Sequence, residues 1–216
     1  MSRILFLLLS AALTGAAVAQ NSRPAAQSQR DAIRVTAYSS GVFQLVQGKV
    51  SARVNLQNQI AGCTTGTYDG ADPKSRPSGG AANTRVIDLV QKRGFWYLTF
   101  QATLGSGCNV QGLCGAGSAI SLVWLKLNST LQVLSQQTEA LEDCFSNTYL
   151  TRWSGKNRDD APDTDDPTLE LRGGVLEVST EKSDYDTKLD TLTTVRYQRA
   201  FPEKGLVILV KKVAQK

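Results

Sequence analysis

Apolar and polar residues alternate with a period of two along most of the chain. Ile33-Arg34-Val35-Thr36-Ala37-Tyr38 is the first such run, and alternation of this kind predicts a strand with one buried face. Ser39-Ser40-Gly41 interrupts it. Residues 42–46 and 50–56 then read as a hairpin turning through Gln47-Gly48-Lys49. Residues 85–90 and 95–104 read as a second hairpin, turning through Gln91-Lys92-Arg93-Gly94. In its second arm Trp96, Leu98, Phe100, Ala102 and Leu104 share one face, which is assigned to the core. Phe95, Tyr97, Thr99, Gln101 and Thr103 share the other face, where the two aromatics imply a strand covered at one end. The next run is apolar on both faces, with Val123, Leu125 and Leu127 alternating with Ile120, Leu122 and Trp124. Such a run predicts a strand central in a sheet or buried on both sides.

Asn128-Ser129-Thr130 turns the chain into another short apolar run, Leu131-Gln132-Val133-Leu134. Residues 138–145 suit either a short helix capped by Thr138 or a strand; the strand is preferred because its neighbours are all strand-like. Residues 168–171 and 175–180 flank Gly173-Gly174, a hairpin signal. Residues 192–200 and 206–213 make a last pair, joined at Phe201-Pro202-Glu203-Lys204-Gly205. Between residues 58 and 83 the chain holds Gly62, Gly66, Gly70, Gly79, Gly80, Pro73 and Pro77 and few apolar side chains. That composition reads as a long loop, and long loops in compact domains tend to be functional or disordered. The expected fold is all-β and mainly antiparallel, a sandwich or meander of about eight to ten strands. No repeat of propeller length is evident, which places a propeller below those two.

The N-terminus carries an address. Arg3, an apolar run from Ile4, and Ala17-Val18-Ala19 match a secretory signal peptide over residues 1–19. Ser10, Thr14 and Gly15 break the run, and it is too short to span a bilayer. The expected mature chain starts at Gln20, with residues 20–31 a mobile leader and 32–216 a single β-domain. It is secreted or periplasmic, with no membrane insertion after cleavage. A chain of this length buries about 70% of its unfolded surface, enough for a core to carry the fold. The four cysteines are then reinforcement. In an exported chain they read as disulfides, with Cys108–Cys114 closing a small loop and Cys63–Cys144 as the remaining pair.

Composition narrows the chemistry. The formal net charge is +5, but no run of more than two lysines or arginines appears. Nucleic-acid binding, which needs a clustered patch, is therefore not expected. The chain has no histidine, which removes His-based triads and most zinc sites. Oxidised cysteines leave no thiolate nucleophile. Asp159, Asp160, Asp163, Asp165 and Asp166 form an acidic, proline-bearing loop. Five carboxylates there make calcium the one candidate cofactor, although the spacing lacks the glycine and terminal glutamate of an EF-hand, and a solvated loop is the commoner outcome. Asp184, Asp186 and Asp190 are the carboxylates on which a histidine-free hydrolase would have to draw. Tyr149 and Trp153 lie in a polar segment beside the acidic loop and are candidates for a sugar-stacking or protein-contact surface. The expected function is an exported, non-catalytic binding or interaction module for a glycan, an envelope component or a protein partner. The alternatives are that hydrolase, or an inhibitor of an extracellular enzyme that inserts the Cys108–Cys114 loop.

Overall fold

The computed structural model describes residues 32–39, 41–62, 83–105, 118–160 and 167–215. Residues 1–31, most of the glycine-rich loop, the 108–114 segment and residues 161–166 lie outside them. The described residues form twelve strands: β1 (Arg34–Ser39), β2 (Val42–Gln47), β3 (Val50–Asn55), β4 (Asn83–Lys92), β5 (Phe95–Gly105), β6 (Ser118–Leu127), β7 (Val133–Glu142), β8 (Thr148–Trp153), β9 (Lys156–Asn157), β10 (Val175–Asp184), β11 (Leu189–Gln198) and β12 (Val207–Ala214). They make three sheets, ordered β1-β2-β3, β4-β5-β6-β7 and β12-β11-β10-β8-β9. Every named pairing is antiparallel. The all-β, antiparallel expectation therefore holds, with more strands than expected and a different division of the chain among them.

The sheet β4–β7 lies between the other two, because its central strands are apolar on both faces. Trp96, Leu98, Phe100, Ala102 and Leu104 of β5, with Val123, Leu125 and Leu127 of β6, pack against Phe43, Leu45 and Val54 of the first sheet and Leu56 just after it. The Phe43 and Phe100 rings meet edge to face with centroids 5.4 Å apart, a favoured aromatic geometry. On the opposite face Tyr97, Ile120, Leu122, Trp124 and Leu141 pack against Leu150, Trp153, Leu176, Val178, Val195 and Tyr197. Two cores thus stack on one shared sheet. The second face of β5 is covered along Tyr97, Thr99 and Gln101, not at one end alone. Thr99 and Gln101 looked like solvent-side residues only because a covering sheet leaves no mark on the strand it covers.

Local chemistry sets the joints. Arg93 and Gly94 have φ of 54° and 81°, the left-handed pair of a two-residue hairpin turn whose twist suits the flanking strands. Residues 138–142 continue β7, and a 3₁₀ turn follows at Cys144–Ser146, its first N–H groups met by the Asp143 carboxylate, which accepts from Phe145 N. The strand reading is right as far as Glu142. Residues 131–134 and 138–142 are not separate strands; Val133 onward is one. Residues 168–171 form no strand, and a single bridge, Arg172 to Val175, closes the Gly173-Gly174 turn. β8 and β9 fall in a stretch whose polar composition concealed them. Trp124 Nε1 donates to the Pro202 carbonyl at 3.0 Å, which pins the β11–β12 turn to the middle sheet.

Candidate functional site

Gln101 organises a recess of the described surface. Residues 167–171 have no ladder of their own, so side chains must satisfy their backbone. The Gln101 amide does so at both ends: Nε2 donates to the Pro167 carbonyl at 2.9 Å, and Oε1 accepts from Leu169 N at 3.3 Å. An uncharged side chain with both a donor and an acceptor at its tip is suited to that role. Ser154 holds the other side, its Oγ accepting from Glu170 N at 2.7 Å. Leu169, between these clamps, is buried in the second core. Outside, the Arg85 guanidinium meets the Glu170 carboxylate at 2.9 Å, both about half exposed, an ion pair worth well under about 1 kcal/mol.

A cleft of about 150 Å³ results, lined by Asn83, Thr84 and Arg85 of β4, Gln101 and Thr103 of β5, and Pro167 and Thr168. Its walls are tied down, since Thr84 Oγ1 also donates to the Val35 carbonyl of β1 at 2.9 Å. Amides, hydroxyls, one guanidinium and a proline ring make the described lining about as polar as apolar, with a single cation. Among the described residues no carboxylate lines it. Such a surface can hydrogen-bond a hydroxylated or anionic group and hold it against a ring. Asn83 follows the glycine-rich loop and Pro167 follows the acidic loop, so the two loops singled out in the sequence rejoin the fold at this cleft.

The residues singled out in the sequence fall elsewhere. Trp153 is 6% exposed and belongs to the second core, whereas Tyr149 is 39% exposed. Positions four apart on a regular strand share a face, but the register slips between Ser179 and Thr180 of β10. Trp153 pairs with Val178 and Leu150 with Thr180, so Thr151 is the extra residue of a bulge that reverses the alternation. The two aromatics therefore form no common surface. Asp159 and Asp160 lie in a 3₁₀ turn, Arg158–Asp160; Asp163, Asp165 and Asp166 lie outside the described residues. Cys144 is described and is not a free thiol, while Cys63, Cys108 and Cys114 lie outside. Asp184 caps its own hairpin, accepting from Asp186 N at 3.1 Å and Thr187 N at 3.2 Å. The Thr187 side chain, then these N–H groups, hold its carboxyl below the ordinary range. Asp190 accepts from Gln215 Nε2. Asn128 is a turn-former: its Oδ1 accepts from Thr130 N, Thr130 Oγ1 and Gln132 N.

One cluster carried no sequence signal. Asp88 is buried, and its Oδ2 accepts from the Tyr197 hydroxyl at 2.8 Å, while Arg199 Nε approaches Oδ1 at 3.6 Å. A register slip between Val86 and Asp88 inserts Ile87 as a bulge and sets Asp88 opposite Thr99. The Thr99 hydroxyl adjoins the phenol without a partner at hydrogen-bonding geometry. Burial first, and the Asp88 carboxylate second, push the Tyr197 phenol well above its ordinary value. Asp88, Thr99 and Tyr197 are enclosed between sheets and tie them together, while Arg199 approaches from the exposed side. No protein family, curated protein or solved structure matches the chain.

Proposed function

We propose that the protein is an exported, non-catalytic binding module whose cleft between β4, β5 and residues 167–168 takes one sugar ring of an envelope glycan. The observation that carries this reading is the lining itself: amides and hydroxyls around a space of about 150 Å³, positioned by the Gln101 clamp before any ligand arrives. Sites for drug-sized ligands are larger and mostly apolar; a small, half-polar cleft suits one hydroxylated ring. Rigid walls reduce the ordering cost of binding. The Asn83 and Thr168 side chains make no hydrogen bond among the described residues, so their groups are open to a ligand. Calorimetric titration with a panel of mono- and oligosaccharides tests the reading. One class of sugar is expected to bind, and Asn83→Ala and Thr168→Ala each to weaken it by roughly tenfold, the share of one hydrogen bond. Absence of heat with every sugar at millimolar concentration, or affinity unchanged in both variants, contradicts it.

Export and disulfides belong to the same proposal. Residues 1–19 suit a signal peptide, and N-terminal sequencing of the exported protein is expected to begin at Gln20. The pairing Cys63–Cys144 is favoured by their neighbours. A Cβ on Gly62 would come to 3.0 Å from Ala119 Cβ, and Glu142 pairs with Ile120, so the residue before Cys63 and the residue two before Cys144 reach the same end of β6. Non-reducing peptide mapping by mass spectrometry is expected to recover Cys63 linked to Cys144; a Cys63–Cys108 or Cys63–Cys114 link contradicts the pairing.

A further inference from the structure

We propose that the open edge of β12 pairs with the same edge of a second copy of the chain, joining two five-stranded sheets into one. β12 ends its sheet and bonds to β11. Val207 and Ile208 are 46% and 40% exposed, and Leu209 and Val210 61% each. Alternation puts these four on both faces of the strand. Gln215 N donates to the Lys188 carbonyl, continuing the register in which Leu189 faces Ala214. In an antiparallel ladder that bond sets the phase. The odd-numbered residues of β12 bond to β11, and Ile208, Val210, Lys212 and Ala214 turn their N–H and C=O groups to the open edge. An apolar edge with such a row of donors and acceptors is a template for another strand.

A copy of the same strand satisfies the edge in a register that keeps its lysines apart. With a two-fold axis at Leu209, Ile208 faces Val210 of the second copy and the two exchange backbone bonds in both directions. The four apolar residues come together. Lys211 stands four residues from its equivalent, about 13 Å along the strands, and Lys212 six residues, about 20 Å. Both separations exceed the screening length of about 8 Å at physiological salt. Each Lys211 lies opposite Val207, which its methylene stem can cover. An axis at Lys211 would instead set like charges face to face, which is destabilising. A single pair of edge strands is a small contact for a specific pair, so the dimer is weak and concentration-dependent.

Sedimentation equilibrium of the protein over roughly a hundredfold range of concentration tests this, with a micromolar monomer–dimer equilibrium expected. In Val210→Pro the lost N–H is one that points to the open edge, so the β11 ladder is kept. Leu209→Lys sets two charges against each other on the axis. Each variant is expected to keep the native circular dichroism spectrum and to weaken the dimer at least about tenfold, and added salt to restore part of it in Leu209→Lys alone. A protein monomeric at every concentration overturns the proposal and leaves the edge to a foreign strand. A dimer untouched by both variants overturns it too, since the contact then lies elsewhere.

Discussion

At residue 88 a carboxylate sits inside the second core, held by one phenol and approached by one guanidinium. Removing a partner from a buried charge costs more than the hydrogen bond is worth, because the charge stays desolvated. Tyr197→Phe is therefore expected to lower unfolding stability by about 2–3 kcal/mol in urea. The same phenol makes the fold sensitive to alkali. Its folded value lies above its unfolded one, so its contribution is complete below about pH 10 and is lost as pH rises toward the folded value. Glu139 has the same sign at the acid end: burial raises its carboxyl above the ordinary range. Below that range native and unfolded states are both protonated and nothing is lost; above it the unfolded chain ionises more readily and native stability falls. Glu139→Gln is expected to raise the thermal midpoint near neutral pH and to leave it unchanged in acid. A midpoint lowered at neutral pH would show that the carboxylate is stabilised by a partner.

At the scale of elements, β5 and β6 show how far periodicity carries. Two opposed apolar faces on β6 announced a strand buried on both sides, and the structure puts it between two cores. The hairpins closed by Gly48 and by Arg93-Gly94 were legible because their turns need left-handed backbone. Two bulges were not. The extra residues Ile87 and Thr151 reverse the alternation after them, which sends Asp88 and Trp153 inward. Sequence alternation has no way to register an unpaired residue, because the slip is defined by the partner strand. The cleft was hidden for a related reason. Gln101 reads as one polar residue among several, and its role depends on residues 167–169, more than sixty positions away. Gln101→Leu keeps the volume and removes both bonds. It is expected to cost about 1–3 kcal/mol and to speed amide exchange at Leu169 selectively. Unchanged exchange there would show that the segment is held by Ser154 and Leu169 without the clamp.

For the molecule as a whole, three sheets stack on two cores with the middle sheet between them, and the proposed sites lie at the margins. One margin is the cleft, where β4, β5 and residue 167 meet; the other is the β12 edge. The aromatic pair that drew the eye in the sequence belongs to neither as a pair, because Trp153 is part of the core. The most direct measurement is an amide chemical-shift map of the protein titrated with the sugar that calorimetry selects. Shifts concentrated at Asn83, Thr84, Arg85, Gln101, Thr103 and Thr168 are expected, with β12 unmoved. Shifts gathered around Tyr149 and the Arg158–Asp160 turn, with the cleft silent, would contradict the assignment and move the binding site to that face of the third sheet.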